Sequence, residues 1–206
     1  MSRFHFDDAA QKKVRDLVLG PGLYGPFSLD GRYVFIDKGT LATTLQKRFA
    51  VDTIVQALDG RAVCVEEKIV RWPGYKYASL VLETKSCTVP GHESDGWMVY
   101  GQADLLHYAM CQENGDVLCR LINFPKLKKA FWPDVERFEE TVSAQSNRTA
   151  CRKVPLGWIE DHVGRPFKRL IKPTTEGAAV VIAYNAGRYK KVAPDDETSR
   201  AEAELA

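Results

Sequence analysis

Two stretches of alternating side chains, joined by a tight turn, constrain the fold of this chain more than any other feature. Residues 51–57 read VDTIVQA, residues 62–71 read AVCVEEKIVR, and Asp59-Gly60 lies between them. Asp-Gly between two alternating, β-branched stretches is a strong hairpin signal because glycine adopts the positive φ that tight hairpin turns require. We therefore predict two antiparallel strands at these positions.

The segments around this hairpin complete an α/β pattern. Apolar residues at helical spacing predict helices at 6–19, 40–49 and 97–112. Strands are expected at 33–36, 77–84 and 116–123, so that residues 40–124 form a helix, a three-strand meander, a helix and a strand. This order predicts an α/β (α+β) fold with a mixed central sheet flanked by helices.

The C-terminal third is expected to elaborate the same domain. Helices are predicted at 126–131, 134–144 and 159–170. Residues 150–158 are predicted to be an edge strand, because Pro155 has no N–H and would interrupt the pairing of a central strand. We therefore divide the chain into an N-terminal helix and loop (1–39), a core (40–124), an elaboration (125–192) and an acidic tail (193–206). The tail is expected to be disordered because it is charged and poor in large apolar residues.

Composition limits the class of protein. The 206 residues are 45% hydrophobic and 27% charged, and no apolar stretch approaches the length of a membrane span. The N-terminus lacks the apolar core of a signal peptide, so we expect a cytoplasmic protein with no membrane partner. The tail holds five acids and one base, so residues 1–192 carry a net charge of about +6, which is compatible with a polyanionic partner.

Five dispersed cysteines without a CxxC pair favour reduced, mostly buried thiols. A zinc site from Cys87, His92, His107 and Cys111 would use the i, i+4 spacing of the last two on the predicted helix. The remaining spacing matches no common zinc pattern, so a structural role for these residues is favoured.

The hairpin brings charged groups together. Side chains alternate along a strand, so Glu66 and Lys68 share one face while Glu67 takes the other. The antiparallel return places Asp52, near the start of the first strand, beside the end of the second. Two carboxylates can hold a hard divalent cation such as Mg²⁺, and a lysine can orient water and stabilise charge on phosphorus. The grouping is suited to phosphodiester hydrolysis.

An acid at the start of one strand, followed after a short hairpin by an acid-x-Lys triplet, resembles the PD-(D/E)XK nuclease superfamily. The resemblance covers about residues 40–124 and implies a restriction-endonuclease-like fold. It further implies that Asp52 and Glu66 bind Mg²⁺ or Mn²⁺, that the main-chain carbonyl of Glu67 completes the metal shell, and that Lys68 is the catalytic lysine.

Two further features bear on this resemblance. The superfamily often carries a polar residue on the preceding helix, a position that Gln46 matches. The residue before the first acid is Val51 rather than proline, at a position that varies in the superfamily.

A second triplet, Glu83-Thr84-Lys85, competes for the same role at the end of the predicted third strand. An intervening strand would then separate it from Asp52, so the first triplet is preferred. Glu83 could face the site as an extra acid, or could form a surface ion pair with Lys85.

Candidate substrate contacts surround the hairpin. Gln102, six residues before Tyr108, loosely resembles the glutamine–tyrosine element of RecB-like nucleases. Basic residues interleaved with aromatics can bind phosphates and stack on bases, although each cluster alone is compatible with an ordinary solvated face. The candidates are Lys47, Arg48, Arg71, Lys76, Lys85 and Gln102.

The sequence therefore predicts a metal-dependent nuclease, with DNA favoured over RNA because most of the resembled superfamily acts on DNA. Its small size is compatible with a stand-alone enzyme or with help from a second copy or a partner protein, and analogy suggests a phage or mobile-element origin. Two alternatives remain open: a catalytically inactive nucleic-acid-binding protein of the same fold, and a non-nuclease interaction protein.

Overall fold

The structure of the chain is a computed structural model. It describes residue 24 and residues 28–36, 40–71, 79–111, 116–144, 146, 148–173, 179–185 and 188–189. The predicted helix at 6–19, the acidic tail, Lys76 and the side chain of Arg71 lie outside the described residues.

Twelve strands and four α-helices make up the described part of the chain. The helices are α1 (Thr40–Phe49), α2 (Trp97–Tyr100), α3 (Phe124–Asp134) and α4 (Leu156–His162), and a 3₁₀ turn spans Val135–Arg137. The strands are β1 (Ser28–Phe35), β2 (Thr53–Ala57), β3 (Ala62–Arg71), β4 (Ser79–Cys87), β5 (Ser94–Asp95), β6 (Leu105–Cys111), β7 (Val117–Asn123), β8 (Glu139–Val142), β9 (Ala150–Pro155), β10 (Phe167–Pro173), β11 (Ala179–Asn185) and β12 (Arg188–Tyr189).

The predicted hairpin forms the centre of the larger sheet. Strands β2 and β3 pair antiparallel with Thr53 opposite Val65, and Gly60 adopts a φ of 83° in the turn. The sheet has the order β1-β2-β3-β6-β7-β10-β11-β12, in which β3 and β6 are parallel and the other pairs antiparallel. The fold is a mixed α/β structure, as the sequence predicts at this coarse level.

The expected three-strand meander is wrong. Strand β4 does not pair with β3 but enters a second, four-stranded sheet of order β5-β4-β9-β8. The neighbour of β3 is β6, which the sequence assigned to a helix at 97–112. The helix ends at Tyr100, and β6 is buried on both faces. A strand in this position lacks polar alternation and cannot be distinguished from a buried helix by its period.

Three predictions for the C-terminal third also need correction. The helix predicted at 134–144 is instead a 3₁₀ turn followed by β8, and the predicted closing helix ends at His162, before β10. Strand β9 lies between β4 and β8, so it is not an edge strand, and Pro155 is tolerated because it is the last residue of β9. The polar residues of β8 give no apolar period, so only its pairing with β9 reveals the strand.

The larger sheet separates two hydrophobic clusters. The larger cluster packs between one face of this sheet, strand β4 and helix α3, and includes Leu106, Met110, Leu80, Leu82, Phe124 and Phe131. The smaller cluster covers the opposite face and includes Val65, Ile69, Ala109, Cys119 and Ile171. Strand β3 contributes to both clusters.

Glycines at both ends of α2 allow close packing. A Cβ on Gly96 would lie 2.5 Å from the carbonyl oxygen of Glu83 in β4, and a Cβ on Gly101 would lie 2.6 Å from the carbonyl oxygen of Trp97 in α2 itself. The ammonium of Lys128 donates to the carbonyl oxygens of Val99 and Gly101 at 2.9 and 2.7 Å. Lys128 therefore caps the end of α2.

Within the described residues, no helix is long and apolar enough to cross a membrane. The five cysteines form no disulfide with one another. His107 and Cys111 lie on β6 rather than on a helix, so they are four positions apart along an extended strand and not on adjacent turns of a helix.

Substituting Gly96 tests how tightly α2 is packed. We expect Gly96→Ala to lower the free energy of unfolding by about 1–3 kcal/mol, the usual cost of overpacking, because backbone atoms stand where the methyl group must go. Gly157→Ala in α4 is the control: it meets nothing within 4 Å, and the helix propensity of alanine should leave stability unchanged or raise it by up to about 1 kcal/mol. Urea denaturation measures both, and equal stability of the two variants would contradict the close approach.

Candidate functional site

The main chain fixes Asp52 where α1 turns into β2. Ala50 adopts a φ of 49° at this turn. The N–H of Asp52 donates to the carbonyl oxygen of Val65 at 2.9 Å, and its own carbonyl accepts from the N–H of Ile36 at 2.8 Å. Asp52 is thereby held between the end of β1 and the middle of β3.

The side chain of Asp52 extends the ladder between β2 and β3. Its Oδ2 accepts the N–H of Glu67 at 2.9 Å, where a main-chain carbonyl would otherwise pair. Its Oδ1 accepts from Nε2 of Gln46 at 3.3 Å, and the same Nε2 donates to the carbonyl of Ile36 at 2.7 Å. Gln46 thus contacts the first acid from the preceding helix, at the position the sequence indicated.

Glu66 is a buried carboxyl group on the same face of the sheet. Only 4% of its side chain is exposed. Burial raises the pKa of Glu66 to about 8, partly offset by the charge of Lys68. The Asp52 carboxylate adds to the rise, through like charge and through a hydrogen bond that favours the protonated form. Asp52 and Glu66 are therefore direct neighbours.

Lys68 completes the group. Its Nζ lies 2.7 Å from Oε1 of Glu66 and 4.9 Å from the centre of the Trp97 ring. Burial opposes the ammonium charge, but the carboxylates of Glu66, Asp52 and Glu83 outweigh it and hold the pKa of Lys68 above its ordinary value. The Lys68 side chain is 31% exposed, and its ammonium lies between the Trp97 ring and the carboxyl group of Glu66.

The groups that could hold a divalent cation such as Mg²⁺ are the carboxyl groups of Asp52 and Glu66. When both are ionised they repel each other, and a hard cation would relieve that repulsion. The carbonyl of Val65 faces Asp52, and carbonyls of alternate strand residues point to the same edge, so that of Glu67 is directed there too. Among the described residues, no group of three or more His, Cys, Asp or Glu side chains could hold a metal ion. Water would have to complete the shell, as Mg²⁺ commonly allows.

The second triplet is placed differently. Lys85 pairs with Asp95 at 2.7 Å, and both side chains are about half exposed. Glu83 lies on β4 opposite Cys151 and accepts from Oγ of Ser86 at 2.5 Å. Its charge nevertheless acts on Lys68, so Glu83 approaches the group from the second sheet while Lys85 points to a surface ion pair.

Two aromatic residues of this region were not identified as site residues from the sequence. Trp97 backs the ammonium of Lys68. Burial raises the pKa of Tyr100, and the nearby charge of Glu66 raises it further, so its phenol also borders the group. Both stand on α2, directly after the polar segment 88–96. The sequence signal for these residues is a short aromatic segment directly after a polar loop. The same segment also suits the start of a longer core helix, which is the interpretation that the sequence favours.

The remaining candidates are dispersed. Lys47 and Arg48 are exposed in the last turn of α1. Gln102 is exposed after α2, where its N–H donates to the carbonyl of Phe49 at 2.7 Å. Tyr108 is buried on β6 opposite Lys68, and its hydroxyl accepts the N–H of Val81. Gln102 and Tyr108 therefore do not lie on one helix, and the predicted helix at 97–112 that would have joined them is wrong.

Asp104 has a structural contact with β3. Its Oδ2 accepts the N–H of Cys64 at 2.8 Å, and its own N–H donates to the carbonyl of Cys64 at 2.8 Å. It resembles Asp52 in bonding the backbone of β3, but it precedes β6 and bonds Cys64 on the edge of β3 that faces β6, whereas Asp52 precedes β2 and bonds the other edge.

Comparisons of the chain with protein-family models, with curated proteins and with solved structures find no match.

Proposed function

We propose that the chain is a divalent-metal-dependent nuclease with a restriction-endonuclease-like core. The observation that carries the proposal is the contact of two carboxyl groups with one lysine: Asp52 beside buried Glu66, and Lys68 at 2.7 Å from Glu66. Retaining a buried carboxyl group next to a second one is costly for stability, and such perturbed groups are concentrated at functional sites.

The residues divide the work as follows. Asp52, Glu66 and the carbonyl of Glu67 would hold Mg²⁺ or Mn²⁺, which supplies an activated water and stabilises charge on a phosphoryl oxygen. Gln46 orients Asp52 through the bond to Oδ1. Lys68 holds its ammonium 2.7 Å from Glu66, where it would orient the attacking water and neutralise charge that develops on phosphorus.

The substrate class follows from this chemistry and from the charge of the chain. Phosphodiesters of nucleic acid match a cation site with an adjacent ammonium, and DNA is favoured by the resemblance. Lys47 and Arg48 lie in the last turn of α1, shortly before Asp52. This position in the sequence makes them candidates to contact the phosphates of a nucleic-acid backbone.

Replacing Lys68 and Lys85 separately with alanine tests the catalytic assignment. With Mg²⁺ or Mn²⁺, we expect cleavage of at least one substrate among linear, nicked, branched and single-stranded DNA and RNA. Lys68→Ala should slow cleavage by about 100-fold or more, the usual effect of losing a group that stabilises the transition state. Lys85→Ala is the matched control, because it removes a lysine with the same 2.7 Å ion pair on the surface, and should cleave near the wild-type rate.

Other outcomes assign the site elsewhere or reject the activity. An inactive Lys85→Ala with an active Lys68→Ala would transfer catalysis to the second triplet. Binding of nucleic acid without cleavage, unaffected by Asp52→Asn, would indicate an inactive binding protein of the same fold. Absence of both cleavage and affinity at low salt would indicate an interaction protein.

Metal binding is tested by thermal unfolding. Mn²⁺ at 100 times its dissociation constant should raise the free energy of unfolding by about 2.7 kcal/mol, since it binds only the folded site. Asp52→Asn should abolish this gain. Asp104→Asn is the control because Asp104 also accepts a backbone N–H of β3, but on the edge that faces β6 rather than β2. Loss of the gain in both variants, or its absence from the wild type, would contradict the metal site.

A further inference from the structure

A polar cluster lies behind the site, buried in the smaller hydrophobic cluster. Tyr24, Thr53, Glu67 and His107 are all buried there. The strand registers bring three of them together: Glu67 is opposite His107 across β3 and β6, and Thr53 is diagonal to Glu67 across β2 and β3. None of these side chains faces the candidate site.

The Glu67 carboxylate is the acceptor at the centre of this cluster. Its Oε1 accepts from the hydroxyl of Tyr24 at 2.5 Å and from that of Thr53 at 2.8 Å. The Tyr24 hydroxyl also lies 2.8 Å from Nδ1 of His107. Tyr24 therefore bridges the carboxyl group of Glu67 and the imidazole of His107.

The backbone of Glu67 contacts the candidate site, although its side chain lies on the opposite face of the sheet. The N–H of Glu67 donates to Oδ2 of Asp52, and its carbonyl points to the same strand edge. A change in the backbone dihedral angles at Glu67 would therefore change both the contact with Asp52 and the direction of the Glu67 carbonyl. The buried carboxylate anchors this backbone position from the other face of the strand.

We infer that Tyr24, Thr53 and His107 are positioning residues, which fix the Glu67 peptide and through it the cation-binding geometry of Asp52. The inference rests on the proposed function for its effect on metal binding, but not for its effect on the peptide itself. Partners that orient metal-binding groups typically change affinity by 10–100-fold when they are removed.

The test uses the full chain and two substitutions with matched controls. Thr53→Val removes one hydroxyl donor, and Thr84→Val removes another buried threonine hydroxyl, which donates to the carbonyl of Ala150 in the second sheet. Tyr24→Phe removes the bridging hydroxyl group. Tyr33→Phe removes the hydroxyl group of the adjacent ring, whose centre is 5.9 Å from that of Tyr24. Thr53→Ser restores the hydroxyl.

Two measurements are made on each variant: hydrogen exchange of the Glu67 amide by NMR, and the dissociation constant for Mn²⁺. We expect Thr53→Val and Tyr24→Phe to speed amide exchange by on the order of tenfold, as for one lost hydrogen bond, and to weaken Mn²⁺ binding by about tenfold or more. The controls should leave both values near wild type, and Thr53→Ser should restore them.

Exchange and affinity that change no more than in the controls would overturn the inference, while leaving wild-type metal binding and cleavage intact. If the wild type binds no Mn²⁺, the proposed function fails. Hydrogen exchange of the Glu67 amide then tests only whether the cluster positions the backbone of Glu67. Faster exchange in Thr53→Val and Tyr24→Phe would support that positioning, and unchanged exchange would overturn it.

Discussion

Strand β3 contributes to both hydrophobic clusters, and its middle residues Val65, Glu66 and Glu67 are buried. Its polar residues therefore need partners on whichever face they occupy. On one face Glu66 is paired with Lys68, and on the other Glu67 accepts two hydroxyl groups. The alternation of the strand thus forces two adjacent acids into two different buried environments, and the peptide between them links both.

These environments give the two acids different chemistry. Glu67 accepts hydrogen bonds, which favour a carboxylate and rigidify the strand. Glu66 lies beside a second carboxyl group, and its raised pKa reflects a proton that a cation could replace. A buried ion pair such as Glu66–Lys68 adds little net stability, because desolvation opposes the Coulomb gain.

Sequence predicted the local part of the structure and of the site. The Asp59-Gly60 turn and the strand alternation were sufficient to bring Asp52 to Glu66, and α1 was recognised from its apolar spacing. The partners that complete the site come from distant segments. The pairing of β6 with β3, the transfer of β4 to a second sheet and the placement of Trp97 under Lys68 depend on long-range contacts, which a periodic pattern does not encode. Tyr24 reaches Glu67 across 43 positions for the same reason.

The two acid-x-Lys triplets show why a motif alone cannot assign chemistry. Lys68 and Lys85 each form an ion pair at 2.7 Å. The partner of Lys85 is half exposed, so water screens that pair and its loss changes little. The partner of Lys68 is 4% exposed and adjoins another carboxyl group, so water screens this pair much less. The two lysines therefore lie in different electrostatic surroundings, although their ion pairs have the same length.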